Sequence, residues 1–534
     1  MRCEYRKGRL TSRRGGFQSV SVTALMIAAG ALIVSTGVAS AEDASVVKLE
    51  KEMHRIEAMH QREIHALQAQ IKHLRREHAV RYSGPVVKGP EVEPALPYVT
   101  MTPGHEFGLS SADGQNTISF NGEIQLDTAG KVGGNSTPAN PANAYFRRAR
   151  IGVGGKFLGD WGYFIRYDFG GSGTDGSPTG KIGTSTAVIS SGSLENAYIT
   201  YNGFYNHHQP FPVSLIIGAI DVPWTMDEPT GNDKVLFMER SAAQILATNV
   251  VGAGDNHVTI GATSNNSRYF AGAWLTGPKT GSVRAFTDNE GSIPLSGLVR
   301  GSYQIIQTPN ASLHIGADYG IQFTNGSSGI LALSSGNTPE VNAFGGISYP
   351  GGVGWTGLSP AFKDSQVIEG EAGATYGNAY IQGEFYHYII DTAESAFGTP
   401  GGSASFNGGY AQASYTFGGR RHYNAKGGAY SGVIPDHPFV LGTNGWGALE
   451  LGARYTLIDA TNSGFSALTG GIPAAISGWK HEAFGGVASW YPNVNLRFVL
   501  EYEHVNDNQI NLLTGGYNHS GTFDYIAARS QVVW

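Results

Sequence analysis

The chain is poor in the features that mark most soluble enzymes. It has one cysteine in 534 residues, Cys3, inside a basic N-terminal segment. Without that segment no thiol remains, which excludes disulfides and thiol catalysis. Charged residues make up only 15%, against roughly 25% in a usual soluble domain. The mean hydropathy of −0.17 shows that apolar residues do not fill the gap. The chain carries no GxSxG, HExxH or P-loop pattern, so no nucleophile, zinc or phosphate-loop chemistry is indicated. No cofactor or metal site is indicated either. His207 and His208 sit together in a turn-like stretch with no carboxylate spaced to complete a metal site. The expectation is a protein that is not an enzyme; a hydrolase with a Ser/His pair set across strands is the enzymatic alternative.

Long apolar runs are also scarce. The single one, "VSVTALMIAAGALIVSTGV", follows Arg2, Arg6, Lys7, Arg9, Arg13 and Arg14 and ends at "ASA", Ala39 to Ala41. Basic residues, an apolar stretch and small residues in this order read as a cleavable export signal over 1–41. An uncleaved anchor is the other reading of the same run. Any later membrane insertion must then use strands. Loss of 1–41 removes six basic residues and one acid, leaving 30 basic against 41 acidic. That balance argues against nucleic acid as a partner.

Residues 42–81 have no glycine or proline. Their apolar residues (Val46, Leu49, Met53, Ile56, Ile64, Leu67, Ile71, Leu74) recur every three or four positions. This narrow seam predicts a coiled coil, with a stutter at His60. The proline-rich stretch that follows, 82–110, reads as an extended linker.

From 111 to 534 the dominant period is two, the period of a strand. In "TISFNGEIQLDT", Ile118, Phe120, Ile124 and Leu126 share one face, and Asn121, Glu123, Gln125 and Asp127 share the other. "GALELGARYTLID" sets Leu449, Leu451, Ala453, Tyr455 and Leu457 against Glu450, Gly452, Arg454 and Thr456. In "YFRRARIGVGGKFLGDWGYFIRYDFGG", Tyr145, Ile151, Val153, Trp161, Ile165 and Tyr167 are apolar-side residues. Arg148, Arg150, Lys156 and Arg166 lie opposite, with glycines between them. About sixteen such segments of roughly ten residues, joined by alternately short and long breaks, predict an all-β transmembrane barrel of antiparallel strands. The 76 glycines and 11% aromatic residues suit that class. The C-terminal "DYIAARSQVVW", with alternate apolar residues and a terminal aromatic, resembles a barrel assembly signal.

Several blocks together resemble the phosphate-selective porin O and P family. They are "FRRARIGVGGKFLGDWGYFIRYDF", "IGAIDVPWTMDEPTGNDKVLFMERS", "FNGGYAQASYTFGGRRHY", "GALELGARYTLID", "AFGGVASWYPNVNLRFVLEYEHV" and "AARSQVVW". The resemblance spans most of 115–534. It implies a sixteen-stranded porin in the outer membrane of a Gram-negative bacterium, assembled as a homotrimer among lipid and lipopolysaccharide. Its pore would be narrowed by inward loops and lined by basic residues. The candidate lining and anion-binding residues are Arg148, Arg150, Lys156, Arg166, Arg240 and Arg454. Small anions such as phosphate are the expected solutes; Lys156 and Lys234 are the candidates for a central lysine.

Two readings stay open beside this. Inward arginines can simply pair with wall acids: Arg166 with Asp168, Arg454 with Glu450, Arg240 with Glu239. Residues 82–534 hold 22 basic and 34 acidic residues, a poor general attractor for anions. The alternative function is structural: the coiled coil tethers the barrel to the cell wall, or trimerises it as an adhesin-like surface protein.

Overall fold

The computed structural model describes residues 98–101, 107–135, 142–170, 193–207, 212–254, 256–280, 293–325, 361–394, 401–461, 476–511 and 517–534. The export signal and the coiled coil expected over 1–81 lie outside these residues.

Sixteen long strands carry the fold: β1 Thr117–Gly134, β2 Ala142–Phe157, β3 Trp161–Asp168, β4 Ser193–Tyr201, β5 Val213–Ile220, β6 His257–Asn265, β7 Tyr269–Lys279, β8 Pro294–Gln307, β9 Ala311–Asn325, β10 Ala361–Tyr376, β11 Ala379–Ala393, β12 Ser403–Phe417, β13 Ala448–Asp459, β14 Ile476–Asn493, β15 Leu496–Asn511 and β16 Tyr517–Val533. Each pairs antiparallel with the next. The last pairs with the first, Ala528 opposite Thr128 and Gln531 opposite Gln125, so the sheet closes and these long strands leave no open edge. No described helix is long and apolar enough to cross a membrane; this chain crosses with strands.

Part of the stretch read as a linker is strand. Tyr98–Met101 pairs with Phe107–Ser110, which pairs in turn with the start of β1, Phe107 opposite Phe120. Neither four-residue strand contains a proline, which is why both can join a ladder.

Seen from outside, the wall is apolar. Ile151, Ile165, Leu451, Tyr455 and Ile526 all lie on the exposed face. The opposite residues are buried: Gln125, Arg148, His314, Glu450 and Arg454 are each at most 3% accessible. Alternation therefore runs oily outside and polar inside, as the strand pattern predicts.

The period breaks beside the site, between Arg166 and Tyr167, where Glu195 is the extra residue, and again on β1–β2. Between Gln125 and Leu126 the β1–β2 register shifts, pairing them with Arg148 and Phe146 and leaving Arg147 as an extra residue. Phe146 points outward, 53% exposed, while Arg147 and Arg148 both turn inward and are buried. A bulge re-aims side chains in this way, and strict parity over 145–157 misses it.

The seam is closed tightly. The Trp534 and Gly122 backbones bond to each other in both directions at 3.0 Å. A Cβ at Gly122 would stand 2.0 Å from the Trp534 ring. Gly122→Val should therefore misplace the terminal ring and lower the yield of closed barrel. The fraction migrating as the compact, heat-modifiable species in SDS gels reads this directly; an unchanged yield would show that the ring does not guide closure.

Candidate functional site: a lumen narrowed from both mouths

Two connections fold into the barrel. The first, 221–256, joins β5 to β6 from the end carrying the long connections. It contains α1, Ala242–Val251. Ser241 caps this helix by accepting from the Gln244 backbone N–H at 3.2 Å, and Gly252 ends it in the left-handed region. The "SAAQ" at the end of the "FMERS" block is thus a helix start. Small and apolar residues (Ala243, Leu246, Ala247, Val250) are fully buried. The small ones let the helix lie close to the wall, where the Tyr388 hydroxyl donates to the Ala243 carbonyl at 2.8 Å. Burying each Leu or Val side chain contributes roughly 1.5–3 kcal/mol. The second connection, 418–447, enters from the opposite end. It meets the first where Arg421 donates to the Lys234 carbonyl.

Filling the lumen removes water from the polar inner wall, so each buried charge needs a partner. The acids supply them. Arg148 donates to Glu239 at 2.8 Å and to Gln125 at 2.7 Å. Arg147 and Arg529 reach the same Glu239 at 3.2 Å and 2.6 Å. Arg150 pairs with Glu195 at 2.8 Å, Asp168 at 3.0 Å and Glu123 at 3.4 Å. Arg421 pairs with Glu450 at 2.6 Å, and Arg454 with Glu503 at 2.9 Å. Arg497 donates to the Val235 carbonyl at 2.7 Å.

These partners differ from those suggested by nearness in sequence. Asp168 serves Arg150, not Arg166; Glu450 serves Arg421, not Arg454; Arg240 pairs with Glu228 at 3.1 Å, not with its neighbour Glu239. Cross-strand register and the inserted segments bring these distant charges together. The glycines among the β2 arginines serve neighbours too. A Cβ at Gly152 would meet the Asn121 side chain at 2.4 Å, so this glycine makes room for packing.

Burial on its own would raise the Glu239 carboxyl. The guanidinium groups of Arg147, Arg148 and Arg529 overcome that and hold it well below the usual carboxylate range.

Within the lumen, two adjoining cavities lie among the described residues. The larger, about 480 Å³, opens toward the short-turn end beside Trp534, Val494 and Ile434, and includes Arg150, Arg166, Lys234 and Arg240. The smaller, about 30 Å³, lies toward the other end against Arg147, Arg148 and Lys279; it has room for about one or two waters. Glu228 and Arg240 line both, so their ion pair stands at the narrowing.

Of the six candidate lining residues, Arg148, Arg150, Arg166 and Arg240 reach these cavities. Lys156 is exposed at the short-turn end of β2, outside both. Arg454 is sealed behind the first inward segment, its guanidinium 4.1 Å from the Phe237 ring centre. Arg147, Lys279 and Arg497 were not anticipated. The Arg147–Arg148 doublet in a strand is the signal that betrays a bulge; Arg497 and Lys279 carry no such local mark. Arg166 is held most lightly. It donates to Asn121 at 3.3 Å, lies over Phe164 at 5.1 Å, and its Nε has no partner among the described residues.

A closed barrel with a lipid-facing wall and a lumen narrowed by its own connections defines an outer-membrane porin, here of a Gram-negative bacterium. Residues 118–534 match the family model described as phosphate-selective porin O and P, and the chain belongs to that family. It is 25% identical over 422 residues to Porin O of Pseudomonas aeruginosa, covering 75% of this chain and 86% of that protein. Among solved structures it is similar to OprB of Pseudomonas putida at high pH (TM-score 0.45, 8% identity, 78% of this chain and 94% of the other). It is also similar to the channel DcaP of Acinetobacter baumannii (TM-score 0.43, 12% identity, 80% and 99%).

Proposed function

We propose that this porin passes small anions, phosphate among them, passively through a basic constriction. The observation that carries the reading is local charge. Among the described residues, eight basic side chains line the two cavities against five acids, in a chain whose formal net charge is −6. The overall acidity is spent largely on neutralising arginines that hold the inserted segments, while the passage keeps a positive excess. Arg166, Arg240 and Lys234 are the residues we assign to the solute. Arg148 and Arg150 contribute field from the wall. A fixed positive lining lowers the barrier for anions in a narrow pore, and guanidinium forks suit phosphate oxygens. The protein supplies a hole and a field, with no covalent step.

A planar bilayer tests this. Under a potassium chloride gradient the reversal potential should carry the sign of chloride preference, and added phosphate should reduce the chloride current as it occupies the constriction. A cation-selective reversal potential would overturn the anion reading. Chloride preference without phosphate block would leave a general anion pore and remove phosphate from the assignment. The assembly we propose is the homotrimer that family membership suggests, read from the mass of the detergent-solubilised complex.

A further inference from the structure

The inner wall of β8 to β11 gathers four acids around a single arginine among the described residues. Four neighbouring strands place Arg300, Asp318, Glu369 and Tyr386 in one cross-strand row, β8 to β11. Glu371 and Glu384 form the next pair on the same face. All four carboxylates are at most 4% accessible. One guanidinium faces them. Arg300 uses its donors on Glu371 at 3.0 Å and the Gly428 carbonyl at 2.6 Å, and lies 3.5 Å from Asp318. The His314 ring stands 3.8 Å from Glu371, engaged with Met226 and Tyr430. Glu384 accepts from the Met226 backbone N–H and the Tyr410 hydroxyl, both at 2.6 Å.

Glu369 receives nothing comparable. Neither of its oxygens, nor Oδ1 of Asp318, nor the hydroxyl of fully buried Tyr386 has a hydrogen-bond partner among the described residues. Tyr386 is the in-register neighbour of Glu369. One oxygen each from Asp318, Glu369 and Glu371 lie within 4.8 Å of one another. Oxygens 2.3–2.6 Å from a calcium ion stand up to about 5 Å apart, whereas magnesium at about 2.1 Å draws its ligands closer. A buried carboxylate without a counter-charge is strongly disfavoured.

We propose that Asp318, Glu369 and Glu371 bind a hard divalent cation, calcium by size, inside the barrel wall. Its mechanical role follows from the other oxygen of Asp318, which accepts from the Thr225 backbone N–H at 2.8 Å. An ion that fixes the Asp318 carboxylate thereby pins the root of the first inward segment to β9. This site is separate from the anion passage and stands whether or not the pore prefers phosphate.

The test uses full-length protein refolded in detergent without lipopolysaccharide, stripped with EGTA, then dialysed against calcium or magnesium. We expect one equivalent of calcium per chain by elemental analysis, weaker retention of magnesium, and a higher thermal midpoint in calcium than in EGTA. Glu369→Gln and Asp318→Asn should lower calcium affinity by more than about tenfold and abolish the thermal shift. No stoichiometric calcium on the wild-type protein overturns the proposal, and shared protons then neutralise the cluster. Calcium retained undiminished in folded Glu369→Gln and Asp318→Asn also overturns it, by placing the ion elsewhere. If neither variant folds, the wild-type calcium content and thermal shift decide.

Discussion

Glu239→Ala is expected to release the first inward segment and to widen the channel. The Glu239 carboxylate is the shared partner of Arg147, Arg148 and Arg529, and all three guanidinium groups are buried. Removing one member of such a cluster leaves unmatched charge in a dry site and costs about 3–5 kcal/mol. That loss falls on a segment tied to the wall mainly by its backbone carbonyls: Val235 to Arg497 at 2.7 Å, Glu239 to Arg454 at 2.8 Å, and Met238 to Arg529. The variant should form open channels of larger, noisier conductance, and its compact form should melt at lower temperature in SDS. Wild-type conductance and melting in Glu239→Ala would show that the carbonyl ties suffice alone. The same clamp has a pH signature. Because the carboxyl is held below its ordinary range, its stabilisation is complete above the ordinary pKa. It is lost only as pH falls through the depressed value. Wild-type conductance at mildly acidic pH should therefore match that at neutral pH as far as this residue is concerned.

The double charge reversal Arg166→Glu with Lys234→Glu is expected to invert the ion preference. Both residues line the larger cavity. Neither is central to the buried clamps: Arg166 rests on Asn121 and Phe164, and Lys234 is 45% exposed beside Asp233 at 3.4 Å. The exchange turns eight basic against five acidic lining residues into six against seven. A change of about 1.4 kcal/mol in barrier is a tenfold change in permeability. Two reversed charges a few ångströms from a permeating ion, at an effective dielectric constant near 20, supply more than that. The reversal potential under a salt gradient should change sign while the yield of folded barrel stays near wild type. A folded variant that keeps its chloride preference would move the selectivity from this cavity to the connections outside it.

The comparison of sequence with structure is clearest at Arg148 and Arg150. Their inward direction follows from alternation with Ile151 and Val153, and both point inward. What they touch does not follow. Glu239 and Glu195 are separated from them by dozens of residues; entry of 221–256 brings Glu239 within hydrogen-bonding reach of Arg148, and the pairing of β2 with β3 and of β3 with β4 brings Glu195 to Arg150. Arg454 was readable as inward for the same reason, but its place behind Phe237 depends on where the inserted segment lies. Arg147 fails for another cause: a single extra residue in β2 turns it inward, and period two cannot carry a bulge.

By itself the sequence determined that 111–534 is strand after strand, oily on one side and polar on the other, because side chains on a strand alternate whatever the fold. The short and long breaks and the family blocks carried the number of strands and the porin class. Only the tertiary structure decided which inward charges hold the lumen together and which line its cavities. Pairing across a closed barrel is set by register and by the inserted segments, and both join residues that lie far apart along the chain.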